Sequence, residues 1–148
     1  MAYMVRYSVT KQIQAPIEKV FDWCTDYCED DPKLTGSPGR YINIRKSQDS
    51  VTFDWERPFE GRTLTTHHMV KLGRPYRWIV QLHDDLRDIQ GEYRLEAVNK
   101  GCKLTMNFNV TLNNKPSISM DEYTQQRQSH ADKLWDDFII HLEHDVGQ

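Results

Sequence analysis

From Cys102 to Leu112 the side chains alternate without a break. Cys102, Leu104, Met106, Phe108, Val110 and Leu112 are apolar, and Lys103, Thr105, Asn107, Asn109 and Thr111 are polar. Successive side chains of a strand point to opposite faces, so this stretch reads as a strand with one buried and one wet face. Such a strand belongs to an antiparallel sheet covered on one side only. The cover follows directly in the chain, because after Leu112 the period changes. Met120, Tyr123, Arg127, Ala131, Leu134, Trp135, Phe138, Ile139 and Leu142 recur at helical spacing. Ser119-Met120-Asp121-Glu122 ahead of them fits a capping box. About 25 residues at ~1.5 Å each make a helix of roughly 37 Å, long enough to cross a whole sheet.

The rest of the chain supplies that sheet. Val5, Tyr7, Val9 and Ile13 alternate with Arg6, Ser8, Thr10 and Gln12, which predicts a first strand. Ala15-Pro16 breaks it, and Pro16 suits the first turn of a helix. That helix runs from Ile17 to about Tyr27, with Ile17, Val20, Phe21, Cys24 and Cys28 on one stripe. Glu29-Asp30-Asp31-Pro32 then ends it or begins a second short helix. Turn signals at Ser37-Pro38-Gly39, Ser47–Ser50, Pro58–Gly61, Gly73-Arg74-Pro75 and Asn99-Lys100-Gly101 divide the following region. They leave strands at Tyr41–Lys46, Val51–Arg57, Arg62–Leu72, Tyr76–His83, Glu92–Val98 and Cys102–Leu112. The order strand, helix pair, six strands, long helix is an α+β arrangement with the helices on one face. The 148 residues are read as one domain, 1–148.

Several classes of function are excluded at this stage. A net charge of −3 with no run of Lys and Arg offers no footprint for nucleic acid. No apolar run approaches the ~18 residues of a membrane span, and Met1 to Arg6 lacks the make-up of a signal peptide. Three cysteines, an odd count, suit free thiols in a reducing cytoplasm. Cys24 and Cys28, four apart, form a possible ligand pair, but they continue an apolar stripe and read as structural thiols. His67 and His68 are adjacent on a strand and cannot chelate one ion together. No metal site, cofactor motif, nucleophile elbow or phosphate loop is found.

Two stretches resemble a known family. Ile13-Gln14-Ala15-Pro16-Ile17-Glu18-Lys19-Val20-Phe21 resembles the strand-to-helix entry of the START-like (SRPBCC, helix-grip) superfamily, which includes polyketide cyclases and plant ligand-binding allergens. Gly91 to Thr105 is similar to that family's penultimate hairpin, with Gly101-Cys102 where Gly-Thr is common. The resemblance implies a helix-grip fold, in which a curved antiparallel sheet of about seven strands wraps round the long C-terminal helix. It also implies a hollow between them for an apolar molecule. No residue set is shared across the superfamily, so the pocket is read from this chain.

Alternation predicts an inner face made of Phe53, Trp55, His67, Met69, Trp78, Val80, Tyr93, Leu95, Met106 and Phe108. A slip of one residue in the strand 62–72 exchanges His67 for His68. On the long helix, Tyr123, Arg127 and His130 occupy the face that is apolar further on. Either they roof a polar end of the cavity and meet a ligand's oxygen, or this half overhangs the sheet and is solvated. His67 and Arg127 are the candidates for catalysis, with Asp84, Arg45 or Tyr93 available to orient the histidine.

Three functions follow. The first is non-catalytic binding of a small hydrophobic molecule. The second is a polyketide cyclase or dehydratase using the same cavity, which requires His67 (or His68) and Arg127 to face it and each other. The third is a protein-interaction domain like the chaperone-activating branch of the superfamily, which requires a filled core and a large exposed apolar patch.

Overall fold

The structure is a computed structural model and describes residues 3–73 and 75–146. Met1 and Ala2 of the N-terminal reading, and Arg74 of the turn Gly73-Arg74-Pro75, lie outside the described residues. The elements are β1 (Tyr3–Ile13), α1 (Ile17–Thr25), a 3-10 turn (Asp31–Thr35), β2 (Arg40–Lys46), β3 (Ser50–Phe59), β4 (Arg62–Gly73), β5 (Arg77–His83), β6 (Arg87–Val98), β7 (Gly101–Leu112) and α2 (Met120–Val146). The seven strands form one curved antiparallel sheet in the order β1-β7-β6-β5-β4-β3-β2. Strands β2 to β7 each pair with their neighbour in the chain, and β1 closes the sheet against β7.

The alternation of β7 is realised as expected: Cys102, Leu104, Met106, Phe108 and Val110 are all buried on the face that α2 covers. The helix inserts Ala131, Trp135 and Leu142 into that core. Its start is capped as the sequence indicates, with the Glu122 amide donating to Ser119 Oγ at 3.1 Å. Along its length α2 is fastened to β1 and its exit. Lys11 Nζ meets Asp132 and Asp136 at 2.7 and 2.6 Å, the Gln128 side-chain Nε2 donates to the Ser8 carbonyl, and the Glu143 carboxylate accepts from the Gln14 backbone N–H. α1 ties on through Trp23 Nε1, which donates to Asp145 at 2.9 Å.

Two hairpin glycines carry clear demands. Glu60 and Gly61 both have positive φ, the two-residue turn whose twist matches that of the flanking strands. Gly101 lies against β1, where an added Cβ would sit 2.2 Å from the Ile13 carbonyl oxygen.

The structure corrects the sequence reading in three places. Strand β6 begins at Arg87, five residues before the expected Glu92. The Asp84 carboxylate accepts the Leu86 and Arg87 amides and makes a tight turn that needs no Gly or Pro. α1 stops at Thr25, so Cys28 leaves the helical stripe and is exposed. The second helix of the expected pair is a single 3-10 turn, closed by Gly36 at φ +68°.

Candidate functional site

Between the sheet and α2 lies a cavity of about 560 Å³. Its floor comes from Trp78 and Val80 on β5, Tyr93 on β6 and Phe108 on β7; its roof from Arg127, His130, Ala131, Leu134, Trp135 and Phe138 on α2. One wall is the 26–37 region that joins α1 to β2. Trp78 and Tyr93 stack with centroids 5.0 Å apart and planes within 9°, and Tyr93 also approaches Trp135 at 6.0 Å. Opposite, the Trp55 indole is held in place by its N–H to the Pro38 carbonyl and by the Arg57 guanidinium 3.7 Å from its ring centre.

Gly91 makes room for one of these walls. A Cβ there would lie 3.0 to 3.1 Å from the rings of Tyr93 and Phe108. The pocket-facing tilt of those rings therefore rests on a residue without a side chain.

Of the expected site residues, Trp55, Trp78, Val80, Tyr93, Phe108, Arg127 and His130 line the cavity. Phe53 and Met106 are on the inner face but wholly packed, Phe53 behind His68 with rings 4.4 Å apart. Tyr123 is half-buried on α2, outside the cavity lining. His67 is the main correction: it lies on the outer face of β4, exposed, with Nδ1 on Asp54 at 2.6 Å. Met69 shares that face, and His68 and Val70 point inward instead. The groups proposed to orient His67 do not gather on it. Asp84 is buried in a separate network, Tyr93 is inside the cavity, and Arg45 is exposed on the outer face.

His68 is thus the histidine of the cavity. Its Nδ1 donates to the Thr66 carbonyl at 3.1 Å, and burial holds its pKa down to about 4. It is neutral at ordinary pH, so Nε2 is a lone-pair acceptor. Burial also raises the phenols of Tyr27, Tyr41 and Tyr93, which remain donors. Among the described residues none of these three hydroxyls makes a hydrogen bond within the protein. Sequence reasoning missed Tyr27 and Tyr41, which stand at the end of the expected helix and the start of the expected strand Tyr41–Lys46, where the period assigns no face. It also missed Arg87, which reaches the cavity from the start of β6.

The outer face carries its own polar row. His67 on β4 stands directly opposite His83 on β5, and each is held by a carboxylate, Asp54 and Asp88 respectively. The Asp88 hydrogen bond raises the pKa of His83. This depression is more open than the space under α2 and is lined mostly by polar side chains, so it suits an apolar molecule less well. His67→Ala is accordingly expected to change stability by less than about 1 kcal/mol and to leave ligand binding unaltered. Urea denaturation and a probe titration of the variant check both.

All three cysteines are free. Cys24 faces the cavity, and its burial, with Cys102 nearby, pushes the thiol well above its usual range. Among the described residues no three His, Cys, Asp or Glu side chains converge as a metal-ligand set, and no helix is long and apolar enough to cross a membrane.

No protein-family model matches the chain, and no curated protein matches it in sequence. Solved structures do match. Ara h 8.0201 superposes with a TM-score of 0.67 at 13% identity, over 94% of this chain and 97% of that one. The Zhui aromatase/cyclase from Streptomyces sp. R1128 gives 0.69 at 11% identity, over 99% and 94%. A START superfamily protein from Mycobacterium smegmatis gives 0.67 at 12% identity, over 95% and 97%.

Proposed function

We propose that this chain, which has the START-like helix-grip fold, binds one small, largely apolar molecule in the cavity beneath α2. The observation that carries the reading is the cavity itself: about 560 Å³ with aromatic walls and unspent polar groups. That volume falls in the usual range for small-molecule sites, which combine apolar walls with a few polar anchors. The interaction-domain reading required a filled core and a broad apolar surface. Here the large exposed hydrophobics are Met4, Met69, Ile79 and Ile140, spread over β1, β4, β5 and α2.

Cyclase chemistry is the second reading. It is favoured by one observation, that His68 and Arg127 line the same cavity. Neutral His68 with a free Nε2 has the form of a general base. The aromatase/cyclase likeness supports the fold on which such chemistry would rest, and the reaction itself stays part of this proposal.

Native mass spectrometry of the purified protein, with extraction of any released molecule, tests binding directly. A parallel test uses the neutral probe N-phenyl-1-naphthylamine and the variant Ala131→Phe. Ala131 is buried in α2 against the cavity, so the larger ring fills the space. Wild-type protein is expected to bind the probe one to one. Ala131→Phe is expected to weaken binding at least about tenfold while keeping its melting temperature. Failure of the wild-type protein to bind, or undiminished binding by the variant, overturns the reading.

A further inference from the structure

We infer that the molecule held in the cavity carries an anionic oxygen group, carboxylate or phosphate alike, seated between Arg87 of β6 and Arg127 of α2. This rests on the ligand-binding reading above and adds the chemical class of the ligand and its orientation. The apolar body then lies along Trp78, Tyr93 and Trp135, with the charged head at the N-terminal half of the helix.

The argument begins with Arg127. Among the described residues its Nε is the one fully buried side-chain nitrogen or oxygen without a hydrogen-bond partner. An arginine whose whole head reached water would cost nothing, but this N–H is shut away from it. A buried, unmet guanidinium donor is expensive, and the cost disappears when an acceptor arrives.

A second observation is independent of the first. Neither Arg87 nor Arg127 takes part in an ion pair among the described residues. Exposed Lys and Arg of this chain often stand without a carboxylate, but among the described residues the other cations that are not exposed, Lys11, Arg57 and Lys103, are each met by one. The nearby acid, Asp84, is already engaged. Thr66 and Arg57 face its Oδ2, and the Leu86 and Arg87 amides occupy Oδ1.

The field at this end is positive as well. Burial first, then the charges of Arg127, Arg87 and Lys133, lowers the pKa of His130 beside them. Cations brought together at the mouth of an apolar cavity repel one another until an anion joins them, and guanidinium groups suit oxygen anions through paired N–H donors.

The experiment compares matched fluorescent probes on the whole chain: 1-pyrenebutyrate, the neutral 1-pyrenebutanol, and 1-pyrenylmethyl phosphate. An anionic probe is expected to bind wild-type protein at least about tenfold tighter than the alcohol, the size of one charge-assisted hydrogen bond. Whether butyrate or phosphate is preferred separates the two sources of the charge. Arg127→Gln is expected to remove that preference, weakening the anionic probes at least about tenfold and the alcohol much less, with an unchanged far-UV circular dichroism spectrum showing that the variant is folded. Arg87→Gln is expected to reduce the preference in the same way. Equal affinities for all three probes overturn the anion site while leaving the ligand-binding reading intact. A preference that survives both substitutions overturns the assignment to these arginines. No binding of any probe to wild-type protein overturns the cavity reading and this inference with it.

Discussion

Asp84→Ala is expected to destabilise the protein by about 3–5 kcal/mol, the range for removing one partner of a buried charged pair. The Asp84 side chain is fully buried and that of Arg57 is nearly so. They are joined chiefly through Thr66, whose Oγ1 accepts from Arg57 Nη1 at 2.8 Å and donates to Asp84 Oδ2 at 2.7 Å. The direct Arg57–Asp84 separation is 3.9 Å, so the hydroxyl is the working link. Removing the carboxylate leaves a guanidinium in the core and frees the Leu86 and Arg87 amides that form the β5–β6 turn. Thr66→Val should cost less, about 1–3 kcal/mol, since it removes a relay but keeps both charges. Urea midpoints at constant m-value measure both. Should Asp84→Ala unfold within about 1 kcal/mol of wild type, the network does not hold this end of the sheet.

Acid should weaken the fold through His68 by roughly 3 kcal/mol. In the folded chain this ring titrates at about 4, against an ordinary 6.5. Between those values the unfolded chain takes up a proton that the folded one refuses, so stability rises with pH across the window. Conversely, it is lost as pH falls from 6.5, and the loss is complete below about 4. The physical cause is burial first: His68 stacks on Phe53 and lies near Tyr41, where an imidazolium would lose its water. Its hydrogen bond to the Thr66 carbonyl opposes this in part. His68→Phe keeps a ring in that stack with nothing to protonate, so its stability should be flatter between pH 6.5 and 4. Asp84 adds its own acid dependence, since against its burial Thr66, the turn amides and the nearby Arg87 charge hold its carboxyl below the usual range. That contribution is common to both proteins and cancels in the difference. Parallel slopes for wild type and variant would remove His68 from the account.

Much of this architecture was legible in the sequence because most strands bury one face only. In β7 every second residue from Cys102 to Val110 is buried, and the apolar stripe of α2 marks its cover. β4 was different. It runs Leu64-Thr65-Thr66-His67-His68-Met69-Val70, so apolar and polar residues occur on both faces and period two does not choose between the histidines. The decision comes from outside the strand. Leu64 and Val70 set the parity, and His68 pairs with Phe53 on one side and Leu82 on the other, both inward. A hollow was harder to read than a face. Met106 and Phe108 alternate identically, yet the first is sealed and the second lines the cavity, because depth under a helix leaves no mark on strand periodicity. Arg87 was missed for a simpler reason: its turn is made by an aspartate side chain, so the strand was read as starting after it.

The position of β1 has a consequence for the order in which the molecule assembles. From β2 to β7 each strand finds its partner across a short connection, so those pairings close early and cheaply. β1 must find β7 from the far end of the chain, Tyr3 opposite Leu112 and Ile13 opposite Cys102. Contacts so distant in sequence slow a folding reaction. Most of the polar clasps of α2 described above, at Lys11, Ser8 and Gln14, lie on β1 or its exit. Until the first strand of the chain is in place, the roof lacks these clasps and is tied only near its end, by Trp23 to Asp145. In time, the compartment for the ligand is therefore expected to be the last part of the protein to exist, and the first to be lost when β1 peels away.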